Sequence, residues 1–191
     1  MLFRSIVVLV NPEINIDEYF INLLMGEWRR QRHEVILWRG YADPMPEADV
    51  IFLHVDLTIV PDAYSDAVKS HPNVINRPVT NIGKDKISGF LIDREARYEG
   101  PVIVKTTRNY FGLREHAYET ASETGGLTSP GAMPWLTDYP VFKHKEEVPE
   151  KVWTQPGLVV EKFLPEISRD GYFCLRVWSF LGDRERLTVD R

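Results

Sequence analysis

Leu158-Val159-Val160-Glu161-Lys162-Phe163-Leu164-Pro165-Glu166 is the stretch that decides how the second half of this chain folds. An apolar, β-branched run reads as a strand, and it ends at a charged pair before the chain turns. A second strand-like run follows, Cys174-Leu175-Arg176-Val177-Trp178-Ser179-Phe180-Leu181. Asp170-Gly171 makes the turn into it, and Gly182-Asp183 closes it. Upstream lies a third run, Pro101-Val102-Ile103-Val104-Lys105-Thr106. Its lysine stands out, because a cation in a buried-looking strand is costly unless an anion meets it.

Composition bounds the rest. A chain of 191 residues suits one domain or two small ones and can bury a real core. Its 43% hydrophobic and 27% charged content is ordinary for a globular protein. A net charge of −5 argues against nucleic-acid binding, which needs a basic interface, but leaves room for a local basic groove around a phosphate ligand. The single cysteine, Cys174, makes neither an internal disulfide nor a Cys-rich metal site. Its apolar strand pattern reads as a core residue rather than a nucleophile. Low cysteine use fits a reducing compartment, so the expected location is cytoplasmic. Met1-Leu2-Phe3-Arg4 leads straight into a strand without the regions of a signal peptide. No apolar run approaches the roughly 20 residues that span a bilayer, so no membrane partner is expected.

The first part of the chain alternates β and α. Ser5 to Val10 (SIVVLV) is the continuous β-branched run of a strand buried on both faces. Asp17 is placed to cap a helix with Phe20, Leu23, Leu24 and Trp28 at helical spacing. Arg29, Arg30 and Arg32 crowd its C-terminal end, where cations suit the helix dipole. Glu34 to Trp38 and Asp49 to Val55 read as further strands, Pro61 to Ser70 as a short helix, and Val74-Ile75 as a brief last strand. The alternation predicts an α/β unit over residues 1–77, a small parallel sheet with helices on its faces, Rossmann-like in order. No Gly-x-Gly-x-x-Gly follows the first strand, so it does not read as a dinucleotide site. His54, at the end of the third strand, reads as structural although ligands of open parallel sheets bind at such ends.

From Pro78 the character changes. Asn81-Ile82-Gly83-Lys84-Asp85-Lys86-Ile87, the lysine strand around Lys105 and the Glu161 run together resemble the ATP-grasp family of carboxylate–amine ligases, from about Asn81 to Arg191. The resemblance implies that residues 78–191 form an ATP-grasp domain, α+β with mixed and antiparallel sheets, incomplete at its C-terminus. In that family one lysine at a helix start and one on a strand reach the nucleotide phosphates. The family pattern, a lysine after an Asp, selects Lys86 for the first role, with Lys84 left open beside it. Lys105 takes the second. Only one helix, about Lys86 to Ile92, fits between Lys86 and Lys105, so the small sheet of the grasp should be reduced. Thr106, Thr107 and Asn109 would donate to phosphate from the following loop. Residues Ala117 to Gly157 read as one long irregular lid or interaction segment, anchored by Trp135 and Tyr139.

The same resemblance assigns the backbone of Glu161, Lys162, Phe163 and Leu164 to reading the adenine edge, and Glu166 to the ribose. Arg176 and Arg191 take the places of the two arginines that hold the transferred group. The expected partners are therefore ATP and a small-molecule or peptide carboxylate. The family also binds magnesium, Mg2+, through acids on later strands. Those ligands are expected beyond Arg191, so the expectation is either the N-terminal portion of a longer enzyme or a degenerate domain, inactive alone. The strand pair from Cys174 to Arg191 should leave an apolar edge exposed and drive association into a homo-oligomer. The reaction implied is ATP-dependent activation of the carboxylate as an acyl phosphate, then attack by an amine or thiol. The alternatives are a non-catalytic ATP-binding module and a nucleotide-sugar-using transferase.

Overall fold

Ser5–Val10 (β1) is buried almost throughout, as a strand with no polar face must be. After it come Phe20–Arg30 (α1), Glu34–Arg39 (β2), Val50–His54 (β3), Asp62–Ala67 (α2) and Val74–Ile75 (β4). These four strands form one parallel sheet in the order β2-β1-β3-β4. Alternate residues of β1 feed two cores. Val7 and Leu9 pack with Ile51, Leu53 and the α2-side residues Tyr64 and Val68. Ile6, Val8 and Val10 pack with Ile21 and Met25 of α1. The computed structural model describes residues 4–121, 138–181 and 183–190.

The start of α1 differs from expectation. Ile16–Glu18 forms a short 3-10 turn, Tyr19 is the N-cap without a side-chain bond to the helix backbone, and Asp17 accepts a hydrogen bond from Asn22 instead, at 3.0 Å. The extra turn sets the phase of the helix. Ile21, Leu24, Met25 and Trp28 point inward at i, i+3, i+4 and i+7, while Phe20 and Leu23 stay 69% and 68% exposed.

The chain then passes through Lys84–Ile87 (α3) to Val102–Thr106 (β5), Leu113–Ala121 (α4), Val141–Phe142 (β6), Glu150–Thr154 (α5) and Leu158–Lys162 (β7). The order β6-β5-β7 makes a second, antiparallel sheet. Its core is Val102, Val104 and Val160 with Ile92 and Val148. Two expectations change here. The helix after Lys86 is a single turn, and Ile92 is not helical but a core residue whose N–H donates to Val160 O at 2.9 Å. The stretch from Ala117 to Gly157 is also less irregular than read, since it holds part of α4, β6 and α5. Trp135 lies outside the described residues, whereas Tyr139 stacks on Phe111 at 4.4 Å.

Glu166–Ile167 (β8), Phe173–Leu181 (β9) and Arg184–Asp190 (β10) form a third, antiparallel sheet. Apolar side chains remain exposed on both faces: Leu175 and Phe173 on one, Trp178 and Leu187 on the other. Cys174, expected in a core, is only half-buried: among the described residues no core cluster forms against β9.

Candidate functional site

Strand alternation builds the first part of the site. Val102, Val104 and Thr106 turn one face of β5 into the core, which leaves Ile103 and Lys105 on the other. Antiparallel register sets Ile103 opposite Glu161 and Lys105 opposite Val159, so Lys105 and Glu161 are diagonal neighbours on one face. Lys105 Nζ lies 2.7 Å from Glu161 Oε2. Burial alone would raise the Glu161 carboxyl. Hydrogen bonds from Lys105 and Ser88, with the charges of Lys105 and Lys84, outweigh it and hold the group below the ordinary carboxylate value.

Lys84 is brought here by a connector that pairs twice with the chain leaving β3. Val60 N–H donates to Thr80 O at 2.9 Å and Ile82 N–H to Thr58 O at 2.8 Å. Asn81 Oδ1 then accepts from Gly83 N–H at 2.9 Å, and Lys84 N–H donates to Thr107 O at 2.8 Å, so α3 begins beside the exit of β5. Lys84 Nζ donates to Arg108 O at 2.7 Å and to Asn109 Oδ1 at 3.2 Å. Burial and then the charge of Lys105 push its ammonium below the usual lysine value, against the opposing pull of Glu161 and Glu115. Lys86 points away. It meets only its neighbour Asp85 at 3.4 Å among the ion pairs of the described residues, with its side chain 63% exposed. Of the two lysines left open by the sequence, Lys84 is the one placed with Lys105.

The other predicted residues divide. Thr106 is fully buried, and its hydroxyl donates to Arg108 O at 2.8 Å, shaping the loop from inside. Asn109 joins the lysine network and donates its N–H to Thr58 Oγ1 at 2.9 Å. Lys162 N–H donates to Phe90 O and Phe163 N–H to Pro101 O, both at 2.8 Å, so these two donors of the run after Glu161 are spent inside the fold. Lys162 Nζ sits 5.4 Å over the Tyr98 ring, and the exposed Leu164 follows. Glu166 and Arg176 are paired with each other rather than aimed at the lysines: Arg176 Nη2 donates to Glu166 Oε1 at 2.6 Å, and Nε to Oε2. That bidentate pair lies across β8 and β9, and it holds the Glu166 carboxyl below its ordinary value. Arg191 lies outside the described residues.

A second group of side chains went unread in the sequence. The order β2-β1-β3-β4 puts the topological switch between β1 and β3, where open α/β sheets take their ligands. A cavity of about 220 Å³ opens there, walled by Tyr19, Asp56 and Thr58 and roofed by Tyr110, Arg114 and Glu115. Tyr19 donates its hydroxyl to Asp56, and burial together with that carboxylate pushes the phenol well above its ordinary value. His54 packs edge-on against Tyr19 at 5.3 Å, and burial lowers its imidazole despite the opposing charge of Asp56. Arg114 Cζ lies 5.5 Å from the Tyr19 ring centroid and 5.7 Å from that of Tyr110. The only advance signal is positional, the ends of β1 and β3, since the roof comes from α4 and the turn before it, which the sequence reads as loop.

Among the described residues no group of three or more His, Cys, Asp or Glu side chains is arranged to hold a metal ion. No helix of the described residues is long and apolar enough to cross a membrane. Comparison with known family models, curated proteins and solved structures gives no match.

Proposed function

We propose that this chain binds ATP in the manner of the ATP-grasp proteins and serves a ligase that activates a carboxylate for attack by an amine or thiol. The observation that carries the reading is the apposition of Lys84 and Lys105 beside one buried carboxylate. Two like charges are held close enough to disfavour one another, with Glu161 as the counter-charge they share and Glu115 acting on Lys84 as well. A triphosphate would relieve that repulsion, because it brings several negative charges to two lysine point charges. Glu161 keeps Lys105 extended and in place before the ligand arrives. The γ-phosphoryl would pass to a carboxylate oxygen with ADP leaving, and the nucleophile would then displace phosphate from the acyl carbon. The task of the two lysines is to balance charge on the phosphates.

Calorimetric titration of ATP into the chain and into Lys105→Ala tests the reading. Lys105→Ala should weaken ATP at least about tenfold. Equal affinity in the two proteins would remove Lys105 from any nucleotide site and the proposal with it.

A further inference from the structure

We propose that the crevice at the switch between β1 and β3 is a binding site for a small molecule carrying a primary ammonium group, with Glu115 as its receiver. Glu115 stands in the first turn of α4 and is only 6% exposed. Its Oε1 accepts from Thr58 N–H at 2.7 Å. Its Oε2 is buried with no hydrogen-bond partner among the described residues. Buried carboxylate oxygens are costly to leave unmet, and native proteins seldom do so without a ligand, ion or water to meet them.

Charge selects the ligand. The acids on the cavity wall are Asp56 and Glu115, and the cation there is Arg114. Arg114 is already engaged: Nη2 is 3.3 Å from Glu18, Nε is 3.5 Å from Asp56, and Tyr19 and Tyr110 flank the guanidinium. A ligand anion would have to compete with two carboxylates for it. A ligand cation meets Glu115, whose second oxygen is unspent, with Asp56 on the same wall. The Lys84 ammonium is close enough to feel the charge of Glu115, yet it is bonded to Arg108 O and Asn109 Oδ1. The cavity volume holds a handful of heavy atoms, at about 30 Å³ for each water-sized group. Tyr19, Tyr110, Leu57 and Ile82 give its walls apolar surface for a short stem.

The site rests on these groups and not on nucleotide binding. Within the ligase reading it would be the seat of the attacking amine.

The experiment uses n-propylamine as probe, with propionate and propanol as matched controls. Binding is followed by the amide NMR signals of Thr58 and Asn109 in the isotope-labelled chain. Propylamine should shift both signals saturably, and the two controls should not. Glu115→Gln keeps an oxygen for Thr58 N–H and should weaken the amine about tenfold or more. Tyr110→Ala alters an exposed wall residue without touching the core, and it should weaken the amine as well. Propionate or propanol binding as well as propylamine would overturn the proposal, as would unchanged amine affinity in both variants. ATP titrated into the same two proteins separates the readings: ATP affinity kept while amine binding is lost shows the crevice failing alone, and the reverse in Lys105→Ala shows the nucleotide site failing alone.

Discussion

Lys105 and Glu161 meet diagonally across the β5–β7 ladder at 2.7 Å, and the carboxylate is the more deeply buried partner, 7% exposed against 28%. That asymmetry decides what a single substitution does. Lys105→Ala leaves Glu161 buried without its closest counter-charge, so it should cost stability as well as any ligand, about 1–3 kcal/mol for an unmet buried acceptor. Glu161→Leu strands the lysine less severely, because Lys105 reaches solvent. The double variant Lys105→Ala with Glu161→Leu should recover part of the loss, because it removes both charges together. Urea unfolding of the four proteins gives the coupling, expected at about 1 kcal/mol or more. Strictly additive losses would mean that the pair is not coupled.

The two lysines of α3 should behave oppositely. Lys84→Ala removes two hydrogen bonds to the loop at Arg108 and Asn109 and a cation beside Lys105. ATP affinity should fall by about tenfold or more. Lys86→Ala removes only an exposed contact to its sequence neighbour, and exposed pairs contribute about 0–1 kcal/mol. Its ATP affinity should match the parent. A larger loss for Lys86→Ala than for Lys84→Ala would reverse the assignment.

Strands were the legible part of the fold. Ser5–Val10 carries one signal along its whole length, a β-branched apolar run, and the structure gives a strand over those same residues. Val102–Thr106 was equally plain. Both members of the Lys105–Glu161 pair were singled out, but for separate roles, because their meeting depends on a register set 56 residues apart. The choice between Lys84 and Lys86 depends on where α3 begins, and hydrogen bonds accepted by the carbonyl oxygens of Thr58, Thr80 and Thr107 fix that point from outside the motif. Helix α4 was missed because Leu113–Ala121 (LREHAYETA) has little apolar periodicity. It is held by particular contacts, Glu115 to Thr58 and Arg114 to Glu18 and Asp56. The crevice residues come from four separate segments, so no local pattern could gather them.

The end of α1 predicts a stabilising substitution. His33 N–H donates to Trp28 O at 3.0 Å and Arg32 N–H to Arg29 O at 2.9 Å, the paired bonds of a Schellman close. Arg32 occupies the left-handed position with φ of 68°, where glycine is the usual residue. An exposed arginine there carries about 1 kcal/mol of steric cost. Arg32→Gly should therefore raise stability by about 0.5–1 kcal/mol, after the greater freedom of glycine in the unfolded chain is set against the relief. Thermal unfolding should show the midpoint rise, and a fall would mean that the arginine side chain contributes more than its backbone costs.

Acid should weaken the fold through two groups, the first acting from a higher pH than the second. Burial, against the weaker pull of Asp56, depresses His54 below its ordinary 6.5. The unfolded chain then takes up a proton on this ring at a higher pH than the folded one does. The stability tied to neutral His54 is present above about pH 6.5 and is lost as pH falls from there toward the folded value. Glu161 is depressed below its ordinary 4.5, because Lys105, Ser88 and Lys84 together outweigh its burial. Its contribution is intact above about pH 4.5 and is lost as pH falls through the lower folded value. Denaturant midpoints measured from neutral pH downward should show both declines. His54→Gln should flatten the upper one and leave the lower, while Glu161→Gln should flatten the lower and leave the upper. A variant that changes the other group's window, or neither, would show that the decline comes from different residues.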